Sequence, residues 1–275
     1  MKKIVSILCL SFIGMSLFAY DVATNLQLKG NVKSVTKTNY NIALKFGDYF
    51  RTPNSKFVFT YDSNGKQIES TELTPRDVVV NKVNSTYDAS GNLVEQVGFD
   101  GENVQLFKSV VTYKNGVKAD TSEYGKDGLL KSKTIYTYDG TKLTDETYYN
   151  AEGAIVWKII YSYNAKNQLE KETEYFADGS LDEERFYEYS ADGKIDTISY
   201  ANVDGLKMKE VFRYDNMGNL TEVTTYSADN KTTKRLLVKY DTVGNVVKLT
   251  TYDVVKKFGT INNEMVDMVE FVYQY

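Results

Sequence analysis

Five aromatic side chains in the middle of the chain have the type and spacing of a sugar-stacking surface. Four of them recur every 25 or 26 residues and the fifth is the only tryptophan; they are Tyr136, Tyr161, Tyr187, Phe212 and Trp157. Such rings present a flat apolar face and, in tyrosine and tryptophan, a polar tip. The regular spacing also fits a structural ladder that holds neighbouring repeats together, and we favour this interpretation for the four repeated rings. Trp157 is the least repeated member and is therefore the better candidate for contact with a ligand.

A second set of side chains is basic. Each member lies five residues before a recurring tyrosine; the set comprises Lys108, Lys133, Lys158, Lys209 and Arg235. A column of like charges would suit a polyanion such as an acidic glycan. The favoured alternative is a solvated outer face whose cations pair with acidic neighbours, for which the candidates are Glu146, Glu170, Glu172 and Glu174.

The residue types needed for most catalytic sites are missing from the sequence. There is no histidine, and the one cysteine is Cys9, so Ser-His and Cys-His pairs and thiolate chemistry are excluded from the mature chain. Paired carboxylates of the glycosidase kind leave a carboxylate-dependent glycan hydrolase open as an alternative. The Asp and Glu residues mostly follow the repeat, however, whereas a catalytic pair should interrupt it. We expect no enzyme activity, no cofactor and no metal site.

The N-terminus predicts export. Lys2 and Lys3 precede the short apolar run 4–18, and Ala19 offers a small residue at a cleavage point, which are the three parts of a secretory signal peptide. The apolar run is shorter than the ~20 residues of a membrane-spanning helix, and no transmembrane helix is expected after cleavage. We expect a periplasmic, cell-surface or extracellular protein. The net charge of −4 argues against binding nucleic acid.

Internal periodicity organises the rest of the chain. Eight marker tyrosines recur every 25 or 26 residues; they are Tyr61, Tyr87, Tyr113, Tyr138, Tyr163, Tyr189, Tyr214 and Tyr240. A second aromatic series lies between them, and its members Phe99, Tyr124, Tyr149, Tyr175, Tyr200 and Tyr226 each precede the next marker by 14 residues. Gly-containing turn signals follow most of these aromatics, and runs of strand length rich in Thr, Tyr, Val and Ile separate the turns. The unit is therefore a β-hairpin.

The turn sequences carry a family resemblance. Residues 87–93, 214–220 and 240–246 read Tyr-Asp-x-x-Gly-Asn followed by Leu or Val. This pattern resembles the YD-repeat (Rhs-type) proteins of bacteria and, more distantly, MORN-like hairpin repeats. The resemblance covers about residues 56–252. It implies a β-hairpin array at the bacterial surface or outside the cell, and it implies no particular activity.

These observations predict an all-β fold of tandem antiparallel hairpins that form a curled open meander or a partly closed β-shell. We expect a signal peptide at 1–19, an N-terminal cap strand and loop at 20–55, hairpin repeats at 56–252 and a C-terminal cap strand at 253–275. Within the N-terminal cap, the strand is expected at 32–40 and the loop from there to Pro53.

The predicted function is a secreted or cell-surface, non-enzymatic binding or structural module that contacts an unidentified glycan or protein of the cell envelope. An outer-membrane β-barrel is the other alternative, because the ending Phe271-Val272-Tyr273-Gln274-Tyr275 resembles the alternating aromatic C-terminus of such barrels. The same ending closes each repeat, and Glu170, Glu172 and Glu174 interrupt the apolar face that lipid would require.

Overall fold

A computed structural model describes residues 27–275, so the predicted signal peptide lies outside the described residues. The described part contains 18 β-strands, whose bounds are β1 Ser34–Lys45, β2 Asp48–Tyr61, β3 Gln67–Leu73, β4 Val79–Tyr87, β5 Leu93–Asp100, β6 Gln105–Lys114, β7 Val117–Gly125, β8 Leu130–Asp139, β9 Lys142–Asn150, β10 Ile155–Tyr163, β11 Leu169–Phe176, β12 Leu181–Tyr189, β13 Ile195–Asn202, β14 Gly205–Tyr214, β15 Leu220–Ser227, β16 Thr232–Tyr240, β17 Val246–Lys257 and β18 Thr260–Gln274.

The sheet is a closed antiparallel barrel. Every strand pairs with its neighbours in the sequence, and β1 also pairs with β18, with Thr36 opposite Val272 and Lys37 opposite Phe271. The antiparallel meander is as predicted, but the open or partly closed sheet is wrong, because the first and last strands form a full ladder. Residues 48–53, predicted as part of a loop, belong to β2. Closure removes the unpaired edges that an open sheet would expose to aggregation.

The turns lie at two rims. The tyrosine rim comprises the turns that follow the even-numbered strands, together with both ends of the described chain; the opposite rim comprises the turns that follow the odd-numbered strands. At the tyrosine rim, the motif aspartate closes its own turn: Asp215 Oδ1 accepts the N–H groups of Met217 and Asn219 at 2.9 and 2.8 Å. Gly218 follows with φ +83°, which glycine adopts without strain.

The marker tyrosines have a defined structural task. A register shift immediately precedes Tyr189, and its hydroxyl donates to the carbonyl of Leu169 at 2.7 Å. The same bond from a marker to a carbonyl 19 or 20 residues earlier occurs for Tyr87, Tyr113, Tyr163, Tyr214 and Tyr240. Each of these six tyrosines therefore ties its hairpin to the preceding one at the tyrosine rim.

The two faces of the sheet differ in burial. Ile198, Phe212, Val223 and Leu249 are at most 5% exposed and share one face across successive strands. On the other face, the apolar side chains of Ile135, Ile160 and Phe186 remain 37–39% exposed. Because side chains on the concave side of a closed sheet crowd together, we identify the more buried face as the inner wall. A closed sheet of about 16–18 strands is of the size that encloses an aqueous interior.

Candidate functional site

The inner wall is divided into an apolar part and a polar part. The apolar part runs over β13–β18 and β1; its buried members include Val35, Ile198, Phe212, Val223, Leu236, Val238, Leu249, Val269 and Phe271. Each such side chain contributes about 1.5–3 kcal/mol when buried. Phe212, one of the five predicted ligand-contact aromatics, is only 4% exposed within this part. It belongs to the core of the barrel.

The polar part forms what we call the wall network, which consists of Lys118, Tyr136, Glu146, Tyr161, Glu172, Arg185 and Tyr187. These residues come from six successive strands, β7 to β12, and lie on the inner wall. Lys118 Nζ donates to the Tyr136 hydroxyl at 2.7 Å, and Tyr136 faces Glu146 across the β8–β9 pair. Tyr161 bonds Glu146 and lies directly opposite Glu172.

Arg185 is the cationic centre of the network. Its guanidinium bonds Glu172 at 3.2 Å and Glu183 at 2.9 Å, and Glu174 lies 3.7 Å away. Burial favours the neutral form, but the hydrogen bond to Glu183 and the charges of Glu172 and Glu183 outweigh it and raise the pKa of Arg185. One guanidinium is thus shared by three carboxylates.

Burial shifts Lys118, Tyr136 and Glu146 of the network toward their neutral forms. It raises the pKa of Tyr136 to about 12. It also raises the pKa of the Glu146 carboxyl, although the hydrogen bond from Tyr161 and the charge of Lys118 oppose the shift. The pKa of Lys118 is lowered by burial, partly offset by the charge of Glu146. Carboxyl, ammonium and phenol groups at a polar wall can exchange hydrogen bonds with hydroxyl groups of a ligand.

Trp157, the last member of the predicted aromatic surface, also faces inward. Trp157 stacks on Tyr148 with ring centroids 5.2 Å apart and an interplanar angle of 4°. The stack lies on the inner wall and is closer to the opposite rim than Tyr161 is. The structure therefore brings Tyr136, Tyr161 and Tyr187 together with acidic partners, places Trp157 nearby on the same wall, and assigns Phe212 to the core.

The basic column lies on the outer face. Four of its five members are joined to a carboxylate on the preceding strand, and an equivalent pair involves Lys82; the pairs are Lys82–Glu69, Lys108–Glu95, Lys133–Asp120, Lys158–Asp145 and Arg235–Glu222, at 2.5–3.6 Å. Lys209 lies instead over the Tyr226 ring, 5.4 Å from its centroid. This belt of ion pairs is the solvated face that we favoured, but its acidic partners differ from those predicted.

The prediction put three of the four acidic partners on the outer face, whereas the structure has them on the inner wall. Glu146, Glu172 and Glu174 point inward, so they neither neutralise the basic column nor interrupt a lipid-facing surface. The sequence does hold information on their face, namely whether each glutamate lies an even or an odd number of residues from the nearest member of the second aromatic series. Tyr175 faces outward opposite Lys158, and counting back from it in steps of two reaches residues 173 and 171, which leaves Glu172 and Glu174 on the inner wall.

Tyr200 departs from the rest of its series. The other second-series aromatics face outward beside the basic column, as Tyr124 does opposite Lys108. Tyr200 instead faces inward opposite Arg185, is 2% exposed, and donates to Glu210 Oε2 at 2.9 Å. The short β13–β14 turn, in which Asn202 pairs with Gly205, shifts the pattern by one residue. The constant spacing of 14 residues therefore conceals one change of face.

In the described residues, no helix has the length and hydropathy needed to cross a membrane.

Comparison with known proteins gives a fold and no family. No protein-family model and no curated protein matches the chain, so the resemblance to YD-repeat proteins stays a prediction. A porin-like protein from Bacteroides uniformis is similar in structure, with a TM-score of 0.50 and 12% identity over 90% of this chain and 99% of that one. A porin-like protein from Bacteroides vulgatus gives a TM-score of 0.32 at 14% identity over 88% and 98% of the two chains. A TcdB2-TccC3 structure gives 0.30 at 12% identity, with 78% of this chain covering 16% of that one.

The closed barrel replaces the open surface array that we predicted first. The similarity to the Bacteroides uniformis protein concerns the fold alone, and the chain is a closed antiparallel β-barrel.

Proposed function

We propose that this chain is an exported, non-enzymatic β-barrel of the cell envelope that binds a hydroxyl-rich ligand, such as an oligosaccharide, on its inner wall. The observation that carries the proposal is the wall network. It sets the phenols of Tyr136, Tyr161 and Tyr187 between carboxylates and cations on one concave surface.

The chemistry of the network suits sugar hydroxyls. Carboxylates accept hydrogen bonds, lysine and arginine donate them, and a phenol does both. Tyrosine rings and the Trp157–Tyr148 stack add apolar faces beside these groups. Ligand sites generally combine such faces with a few fixed polar groups.

The outer face supports a barrel that stays in water. Lipid-facing strands need an uninterrupted apolar surface, and a lysine or arginine at the bilayer midplane costs about 2–4 kcal/mol. Here the middle of the outer face carries the ion pairs Lys108–Glu95, Lys133–Asp120 and Lys158–Asp145. A belt of this kind is compatible with the periplasm or the cell exterior.

Tryptophan fluorescence tests ligand binding, because Trp157 is the only tryptophan and lies on the inner wall. Titration with envelope-derived oligosaccharides should change its emission saturably. Glu172→Gln should weaken binding about tenfold, the effect of losing one charged hydrogen bond. Lys108→Met on the outer face is the matched control and should leave binding unchanged.

Three results would contradict this proposal. The first is the absence of any saturable response across the oligosaccharide set, and the second is equal weakening by Lys108→Met. The third is hydrolysis of a bound oligosaccharide that Glu172→Gln abolishes, which would favour the glycan hydrolase alternative instead.

The second candidate is an outer-membrane barrel, which the closed sheet and the similarity to the Bacteroides uniformis porin-like protein favour. That candidate requires detergent for extraction and a folded form whose electrophoretic mobility changes on heating. We expect the mature chain to show neither property.

A further inference from the structure

Two long hairpins project from the opposite rim. The β1–β18 ladder ends at Asn41 and Asp267, whereas the β1–β2 ladder continues to the pair Lys45–Asp48. The β17–β18 ladder likewise continues to the pair Lys257–Thr260, beyond Thr232, the first residue of β16. The two hairpins are neighbours, because β1 pairs with β18.

Both tips have the same sequence and the same backbone. They read Lys-Phe-Gly at residues 45–47 and 257–259, and the phenylalanines have φ values of +54° (Phe46) and +50° (Phe258). A bulky residue is a genuine outlier in this left-handed region. Two-residue turns of this kind favour Asn-Gly. Folding stability alone would not select phenylalanine here, and strained residues of this sort point to function.

Within the described part of the chain, both phenylalanine rings are fully exposed. Phe46 and Phe258 are 103% and 106% exposed, whereas Met217, the most exposed large apolar residue at the tyrosine rim, reaches 84%. Other exposed apolar side chains surround the tips or lie at further turns of the same rim: Leu44, Tyr49, Phe50, Val78, Val104, Leu129, Val203 and Ile261. The opposite rim thus presents apolar groups at one end of the barrel, the arrangement that a flat apolar partner would bury.

The two tips are cationic, whereas other turns of the same rim carry acidic side chains such as Glu102, Glu152 and Asp204, so an anionic partner would contact the tips alone. Lys45 precedes one phenylalanine, and Lys256 and Lys257 precede the other. Lys257 pairs with Glu264 at 2.5 Å. Within the described residues, Lys45 and Lys256 have no carboxylate oxygen within 4 Å, although Asp48 lies across the turn from Lys45. Aromatic tips flanked by flexible cations match the acyl boundary and anionic headgroups of a bilayer.

We propose that the barrel docks on a lipid bilayer through the two long hairpins of its opposite rim, with Phe46 and Phe258 inserted below the headgroups and Lys45 and Lys256 at the anionic phosphates. This inference rests on the proposed water-exposed barrel. It is independent of the ligand of the inner wall.

Vesicle flotation of the mature chain tests the docking. The probes are vesicles of phosphatidylcholine alone and of phosphatidylcholine mixed with phosphatidylglycerol. The chain should float with the mixed vesicles, and Phe46→Asn combined with Phe258→Asn should weaken partitioning by about tenfold or more, since two buried rings are lost. The double variant should unfold at the same or a higher temperature, because Asn-Gly suits both turns. Met217→Asn at the tyrosine rim is the matched control and should float like the parent chain.

Several results would overturn the docking proposal. The first is that the chain floats with neither kind of vesicle, and the second is that the double variant floats as well as the parent. The third is a soluble dimer of the parent that is absent in the double variant, which would make the rim a self-association surface. Insertion of both the parent and the double variant into vesicles, with release only by detergent, would instead contradict the water-exposed barrel itself. The two failures are therefore distinguishable.

Discussion

The hydroxyl of a marker tyrosine should stabilise the barrel by a measurable and predictable amount. Tyr189→Phe removes the 2.7 Å bond to the Leu169 carbonyl and leaves the ring in place. A hydrogen bond of this kind contributes about 0.5–1.5 kcal/mol net, and an unsatisfied carbonyl costs more only where water is excluded. Because the tyrosine rim is half-buried, we expect a loss of about 1 kcal/mol. In a chain of this size, that lowers the melting temperature by about 2–4 °C.

The chain supplies a matched control for this change. Among the described residues, Tyr138 is a marker tyrosine for which no hydroxyl bond to an earlier carbonyl is formed, and the carbonyl at the equivalent position belongs to Lys118, whose side chain turns inward to Tyr136. Tyr138→Phe should therefore change the free energy of unfolding by only a few tenths of a kcal/mol. Urea unfolding followed by circular dichroism measures both variants. Equal losses for Tyr138→Phe and Tyr189→Phe would refute the assigned role of the hydroxyl.

Three further predictions concern the inner wall and the turns. Burial raises the pKa of Glu146, so its ionisation weakens the fold as pH rises from about 4.5 through the folded pKa; Glu146→Gln should stabilise the chain at neutral pH and flatten this part of the profile of melting temperature against pH. Asp215→Ala should lower the melting temperature by removing two bonds to turn N–H groups, whereas Asp215→Asn should not, as Asn164 makes the same bonds in another turn. A Cβ at Gly98 would lie 2.0 Å from the Phe107 ring, so Gly98→Ala should cost about 1–3 kcal/mol of unfolding free energy, and a double-mutant cycle with Phe107→Leu should recover part of that loss. The argument for Glu146 would be contradicted if Glu146→Gln left the pH profile unchanged. The argument for Asp215 would be contradicted by equal effects of its two substitutions, and the argument for Gly98 by strict additivity in the double-mutant cycle.

The repeat was predictable because its physical causes are local. The Tyr-Asp-x-x-Gly turn is specified by an aspartate that bonds its own backbone and a glycine with positive φ, and both read directly from residues such as 214–218. The identity of the strands and their antiparallel order follow from the same spacing. Closure was not predictable, because it depends on pairing between residues 34–41 and 267–274, at opposite ends of the chain.

The candidate site was predicted only in part for a related reason. The aromatic members Tyr136, Tyr161 and Tyr187 were recognised by their period, but their acidic partners were assigned to the wrong face. A register shift precedes each marker tyrosine, and each shift changes the parity by which faces are counted. Tyr200 shows the same limit, since one residue fewer in a turn moves a ring from the outer face to the inner wall.

Closure of the sheet between β1 and β18 is the central claim, because it turns the wall network into an interior surface. Cys9, the one cysteine, lies in the predicted signal peptide. Thr36→Cys with Val272→Cys therefore gives a mature chain with a single pair of thiols, at opposed positions of the β1–β18 ladder, which we call the seam. Oxidation, or a short thiol-to-thiol crosslinker, should join β1 to β18 within one chain, as identified by mass spectrometry of the linked peptides. Thr36→Cys with Ile135→Cys, outward on β8, is the control pair and should not link. Failure of the seam pair to link, or links that form only between chains, would contradict the closed barrel.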